Sequence, residues 1–270
     1  MPPSPVRAVV GPEPGRSGGP VAAVLLDMDD TIFDHSLTCR AAIASLRSAN
    51  PYLRRRPLNE LWQEYLTLLD AVSPGSGGRS WTADQARRER WRRLALSCGA
   101  ELSGGQVAEL SQTYRERYQR LRRPVPGARE LVARLHSFVP VVIVTNNEVA
   151  EQEEKVRFLG VGPWIDGLVV SEAVGVAKPD PRIFAKALAS VGVPAEQATM
   201  LGDSWTSDVQ GSAGAGLRPV WFNRFHRPRP EDRPVDEIRS LRPLRPAESL
   251  LLGRAAASSA GPRPPGPSEL

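Results

Sequence analysis

The stretch VAAVLLDMDDT, residues 21–31, decides how the rest of the chain is read. Its apolar run stops abruptly at Asp27, Asp29 and Asp30, with Thr31 behind them. A strand buried on both faces of a parallel sheet has this uninterrupted apolar character. Open sheets of that kind bind ligands beyond the carboxyl ends of their strands. Acidic side chains are seldom buried without a partner, so two or three of them at a strand's end call for water, a cation or a chemical task. A plain strand running into a polar turn would look the same, and the later segments must decide between the two.

Three further segments follow three later strand-like runs. VVIVTNN puts Thr145, Asn146 and Asn147 at the end of the run 139–144. AKPDPRIF supplies Lys178, one of three lysines in a chain that otherwise uses arginine. ATMLGDSWTSD sets Asp203 and Asp208 just past a fourth short apolar run. Acid, hydroxyl, lysine and acid, in that order and each near a strand end, resemble the haloacid dehalogenase-like (HAD) hydrolase superfamily. The four motifs together cover residues 21 to 223.

Between the first and second motifs the pattern is helical. Leu58, Leu61, Trp62, Tyr65, Leu66, Leu69 and Val72 recur at the spacing of one helix face, as do Val107, Leu110, Tyr114, Tyr118 and Leu121. Both stripes are read as packing faces. Weaker helices are expected at 36–48 and 82–97, with a loop, SPGSGGRS, at 73–80. After the Pro124–Gly127 break, helix and strand alternate: 128–135, 139–144, 149–159, 168–170, 181–191, 199–201, 209–215 and 217–221. Such alternation predicts a parallel sheet flanked by helices.

The expected fold class is therefore α/β, a Rossmann-like parallel sheet core with an inserted α-helical cap. The core takes residues 21–35 and 124–223 and the cap 36–123. Residues 1–20, rich in Pro and Gly, are expected to be a disordered N-terminal segment. Residues 224–270 are read as a Pro/Arg-rich extension, mostly disordered, with room for a short docked turn around 235–244. The resemblance agrees, being to members with a helical cap inserted just after the first motif.

At 270 residues the chain can bury one good core, or a core plus a smaller domain. No apolar run approaches the ~20 residues that span a bilayer, and the N-terminus lacks a secretory pattern. A cytoplasmic protein without a membrane partner is the expectation, as monomer or homodimer. The net charge of +5 raises a nucleic-acid partner, but the first 20 residues carry +1 and the last 47 carry +3. With no zinc-finger or RNA-recognition pattern, nucleic acid is not expected as the primary partner. The run Arg87-Arg88-Glu89-Arg90-Trp91-Arg92-Arg93 is read as a solvated helix face, with an alternative in which some of its arginines meet an anionic substrate. Two cysteines, Cys39 and Cys98, are too few for a disulfide framework, and the histidines are scattered.

The resemblance implies a phosphoric monoester hydrolase and a role for each motif residue. Asp27 is the nucleophile that forms an aspartyl-phosphate. Asp29 protonates the leaving group and then takes a proton from water. Thr145 and the Asn146 amide hold phosphoryl oxygens, and Lys178 neutralises Asp27 and the phosphoryl group. The implied cofactor is Mg²⁺, on the Asp27 carboxylate, the Asp29 backbone carbonyl and Asp203, with Asp208 in support. Ser207 stands where an asparagine is common before that last aspartate. A helix N-cap is an alternative task for Thr145, and a turn aspartate for Asp203. Asp34, His35 and Arg54–Arg56 are candidates near the cap entrance, with an exposed polar loop as the alternative. Asp29 favours a phosphatase over a dehalogenase, which has no leaving oxygen to protonate. A small phosphorylated substrate is expected, a nucleoside monophosphate or sugar phosphate; a phosphomutase or a non-catalytic regulatory protein on the same scaffold are the alternatives.

Overall fold

The computed structural model describes residues 20–72 and 81–254. The expected N-terminal segment up to residue 19, the loop at 73–80 and the tail from 255 lie outside the described residues.

Six parallel strands form one sheet: β1 (Ala23–Leu26), β2 (Val141–Thr145), β3 (Gly167–Val170), β4 (Ala198–Gly202), β5 (Arg218–Phe222) and β6 (Asp236–Ile238), ordered β3-β2-β1-β4-β5-β6. All four residues of β1 are fully buried, which accounts for the unbroken apolar run. Val24 and Leu26 join the hydrophobic cluster on one face and Ala23 and Leu25 the cluster on the other. This is the alternation a pleated strand imposes. Strand order reverses around β1, where Leu26 pairs with Ile143 on one side and Leu201 on the other. The carboxyl ends of β1, β2 and β4 therefore meet at the crevice where open sheets place ligands.

Among the described residues, five helices lie between β1 and β2 before the core resumes: α1 (His35–Ala49), α2 (Pro51–Arg54), α3 (Leu58–Ala71), α4 (Ala83–Ser97) and α5 (Gly104–Leu121). They bury a cluster of their own, including Ile43, Leu46, Leu61, Tyr65, Trp91, Leu94 and Tyr114. Thr82 with Gln85, and Ser103 with Gln106, form capping boxes. The second box starts α5 three residues before its apolar stripe does, because two backbone donors are satisfied there. Two chain segments join insertion to core: Asp34 N donates to Arg123 O at 3.1 Å and Val125 N to Ile32 O at 3.0 Å.

The core continues with α6 (Ala128–His136), α7 (Val149–Leu159), α8 (Ser171–Val174), α9 (Pro181–Val191), α10 (Gly211–Gly214) and α11 (Leu244–Leu251). β6 and α11 correct the expectation of a mostly disordered extension from residue 224. Between the Pro/Arg pairs stand Ile238, Leu241, Ala247, Leu251 and Leu252, all buried in the cluster that α6 also packs against. These apolar residues are too sparse for a strand or helix pattern to register above the surrounding Pro and Arg. Among the described residues no helix is long and apolar enough to cross a membrane.

Candidate active site

Asp27 directly follows β1, and its backbone N donates to Leu201 O at 2.9 Å. That bond pins it between β1 and β4. Its carboxylate meets the Lys178 ammonium at 2.6 Å, and the same ammonium reaches Asp208 at 2.7 Å. Thr31 donates its hydroxyl to the other Asp27 oxygen at 3.3 Å. Lys178 is aimed by a clasp absent from the sequence reading: its N donates to Asn146 Oδ1 at 2.7 Å, and Asn146 Nδ2 donates back to Lys178 O at 2.9 Å. The Asn146 side chain thereby ties the lysine loop to the end of β2. Thr145, the last residue of β2, is buried, and Glu148 rather than Thr145 holds the N-cap position of α7.

Beyond β4 the chain makes a π-helical turn, Trp205–Gln210, that carries Asp208. Asp208 accepts from Ser204 N at 3.0 Å. A Cβ at Gly202 would fall 2.3 Å from the Asp208 carboxyl, so only glycine lets that side chain lie across the strand end. Asp203 Oδ2 lies 3.4 Å from the Arg227 guanidinium.

Carboxylate oxygens of Asp27, Asp203 and Asp208 all lie within 4.8 Å of one another. Burial first, and then the neighbouring Asp208 and Asp29, push Asp27 up to about 7 although Lys178 pulls it down. Burial and the nearby Asp27 and Asp208 likewise hold Asp203 well above the usual carboxylate range. Burial works against the Lys178 charge, but Asp208 and Asp27 more than offset it. One buried ammonium does not neutralise three clustered acids. The all-oxygen donor set fits a hard divalent cation such as Mg²⁺.

Asp29 and Asp30 go elsewhere. Because β1 ends at Leu26, neither stands on the strand. Asp30 adopts a left-handed backbone (φ 63) and accepts from Ser36 N at 2.8 Å and Ser36 Oγ at 2.5 Å, which fixes the turn into α1. The Asp29 carboxylate turns toward α7, where Lys155 Nζ donates to its two oxygens at 2.7 and 2.8 Å and Gln152 Nε2 to one of them at 3.2 Å. His35 Nδ1 stands 3.7 Å away. Burial alone would raise Asp29, but Lys155 and His35 hold it down to about 2. Sequence reasoning missed Gln152 and Lys155, although the scarcity of lysine that singles out Lys178 applies equally to Lys155.

A cleft of about 1240 Å³ opens between insertion and core. Arg87, Arg90 and Arg115 line it from the insertion, and Asn146, Glu148 and Lys155 from the core. Two residues of the basic run on α4 thus face the cleft rather than solvent alone. His35 lines it too, as expected, but Arg54–Arg56 do not: Arg56 pairs with Glu60 and Glu64 on the outside of the insertion. Asp34 is buried in a structural task, capping α1 through Leu37 N and accepting from Arg224 at 2.8 Å.

The chain matches the family model of haloacid dehalogenase-like hydrolases over residues 21–216. It is 31% identical over 259 residues to the phosphoserine phosphatase of Thermus thermophilus, covering 84% of this chain and 99% of that one. It is 39% identical over 109 residues to the pyrimidine 5′-nucleotidase YjjG of Escherichia coli, covering 40% and 48%. Among solved structures, the putative HAD-hydrolase YfnB from Bacillus subtilis aligns with a TM-score of 0.66 and 29% identity over 83% of this chain and 96% of that one. That structure is described as bound to magnesium and as revealing interdomain movement.

Proposed function

This chain belongs to the haloacid dehalogenase-like hydrolases, and we propose that it is a Mg²⁺-dependent phosphatase of small phosphate monoesters that reacts through an aspartyl-phosphate on Asp27. The observation that carries the reading is the arrangement at the end of β1, with the Asp27 carboxylate 2.6 Å from Lys178 and clustered with Asp203 and Asp208. Phosphatases among its relatives point the same way.

An anionic ester repels an anionic nucleophile, so such a site must supply positive charge where negative charge gathers. The Asp27 carboxylate, the Asp29 backbone carbonyl, Asp203 and Asp208 would hold Mg²⁺. When bound, the ion neutralises these carboxylates and the phosphoryl oxygens together. Lys178 adds a fixed ammonium on the same side, and Thr145 and the Asn146 amide face the remaining phosphoryl oxygens. An Asp27 oxygen bonds to phosphorus as the ester P–O bond breaks, and Asp29, once it has taken up a proton against the hold of Lys155 and His35, gives that proton to the departing oxygen. Water then bonds to phosphorus and returns a proton to Asp29, and the Asp27 carboxylate leaves with its electron pair restored. One hard displacement becomes two easier ones.

The cleft is large enough for a nucleoside monophosphate or a sugar phosphate. Arg87, Arg90 and Arg115 line its insertion wall, which suits a further anionic or polar group on the ester. The deciding experiment is inorganic phosphate release from nucleoside monophosphates, sugar phosphates and phosphoserine, with Mg²⁺ or with EDTA, beside Asp27→Asn. Release that requires the metal and disappears in the variant is expected. Phosphate returned on a second carbon skeleton would instead indicate a mutase, and no turnover of any ester would remove the phosphatase reading.

A further inference from the structure

We propose that Arg87 and Arg90 of α4, with Arg115 of α5, form a receptor for a second anionic group on the substrate, a carboxylate or a second phosphate at the other end of the phosphate monoester; the proposal rests on the phosphatase reading above and narrows its substrate class. The fold does not treat the arginines of α4 alike. Those that do not line the cleft are neutralised on their own helix: Arg88 meets Asp84 at 2.8 Å, and Arg92 and Arg93 each meet Glu89 at 2.7 Å. Arg87 and Arg90, three residues apart and so neighbours on the helix surface, line the cleft. The Arg87 side chain is 14% exposed, yet its one ion pair among the described residues is a 3.6 Å contact with Asp84, which Arg88 already holds. Arg90 gives one long hydrogen bond, from Nη1 to Val72 O at 3.3 Å, and its Nε is buried without a partner. Among the described residues Arg115 joins no ion pair. Arg122, on the same wall, is by contrast engaged by Glu154 at 2.9 Å and by the face of the Phe158 ring.

A guanidinium held away from water needs a counter-charge, and a buried N–H left unpaired is destabilising. Three cations lining one wall without acids of their own are explained by an anion that the ligand brings. The acid facing them does not supply it. Glu148 on the core wall lies near enough for Arg87 and Arg115 to pull it down, but burial, Glu151 and Glu172 outweigh them and raise it. No ion pair joins Glu148 to either arginine, so the two walls face each other across an open gap. Asn146 and Ala177, which adjoin Thr145 and Lys178, line the same cleft. An ester with its phosphoryl group at the end of β1 therefore extends along the cleft toward the arginines. Their planar forks match the paired oxygens of a carboxylate or phosphate, whereas an uncharged hydroxyl there leaves the guanidiniums without a counter-charge.

The test compares matched esters on full-length protein with Mg²⁺. 3-Phosphoglycerate and glycerol 3-phosphate differ by a carboxylate, and fructose 1,6-bisphosphate and fructose 6-phosphate by a second phosphate. The parent is expected to favour the charged member of one pair by at least roughly tenfold in kcat/KM, the scale of one charge-assisted hydrogen bond. The pair that shows the preference identifies the group. Arg87→Met and Arg115→Met, each first checked for a cooperative thermal transition, should lower that preference by roughly tenfold, and Arg87→Lys should keep part of it. Glu148→Gln removes an opposing negative charge and should leave the preference at or above the parent's. Equal kcat/KM within both pairs for the parent would overturn the receptor, as would a preference untouched by the arginine variants. Losses in Arg87→Met that are equal on charged and uncharged esters and are reproduced by Glu148→Gln would also overturn it, because the walls would then serve each other. If Arg87→Met does not fold, Arg115→Met decides, its side chain being exposed. Hydrolysis of no ester fails differently, because it removes the phosphatase reading itself. Equilibrium binding of the same esters then decides, and equal dissociation constants within both pairs overturn the receptor.

Discussion

Lys178 is the residue on which the charge balance of the site turns. Its ammonium touches Asp27 and Asp208, all three groups being at least nine-tenths buried, and no other side-chain cation is recorded against either acid among the described residues. Removing one member of a buried ion pair leaves the other charge uncompensated, typically at about 3–5 kcal/mol. We therefore expect metal-free Lys178→Met to be about 3 kcal/mol less stable than the parent near neutral pH in denaturant unfolding. Part of that loss should be recovered when Mg²⁺ is added, because the ion takes over the neutralising role. A variant as stable as the parent without metal would show that Lys178 does not balance these acids. Arginine should not substitute, since a planar guanidinium cannot sit as a point charge between two carboxylates. The Asn146 clasp on the Lys178 backbone makes the same point about precision, because both its hydrogen bonds fix where the ammonium arrives.

At the scale of elements, α11 shows what a compositional reading hides. Leu251 is fully buried in the cluster shared with α6, although the segment around it reads as a Pro/Arg-rich extension. Leu251→Ala should cost about 2–5 kcal/mol, the range for a buried leucine with a cavity left behind, measured by chemical denaturation. A loss below about 1 kcal/mol would mean that α11 is an accessory rather than part of the core. The elements that carry motifs were far more legible. Asp27 and Asp203 directly follow β1 and β4, and Thr145 closes β2, and these positions were legible because buried parallel strands are continuous apolar runs, so a polar residue at the end of such a run stands out. Contacts between segments distant in sequence were not legible. Nothing in the spacing of Asp29 shows that its carboxylate turns to Lys155, 126 positions later. Nor does DMDDT alone reveal that Asp30 holds a turn by accepting from Ser36. Periodicity reports which face an element buries, while the partner of a polar side chain depends on tertiary geometry that periodicity does not carry.

Across the whole molecule, the acidic cluster couples folding, protonation and metal binding. In the metal-free protein, burial and neighbouring acids raise Asp27 from 3.8 to about 7 and Asp203 in the same direction. The folded state then binds more protons than the unfolded chain over that interval. Stability from these groups is complete below the unfolded value and is lost as pH rises through the folded one. Mg²⁺ needs the carboxylates deprotonated, so its binding releases protons and strengthens as pH rises. The two effects reinforce each other: the metal-free protein is weakest where the metal binds best. At a free Mg²⁺ concentration 100 times its dissociation constant, the ion adds about 2.7 kcal/mol. Thermal unfolding with Mg²⁺ and with EDTA should therefore differ more at about pH 8 than at about pH 5. Asp203→Asn removes one ligand and one buried charge together, so it should raise the EDTA-treated midpoint at pH 8 relative to the parent and shrink the Mg²⁺ increment. An increment independent of pH, or one undiminished in Asp203→Asn, would place the ion somewhere other than the end of β1 and β4.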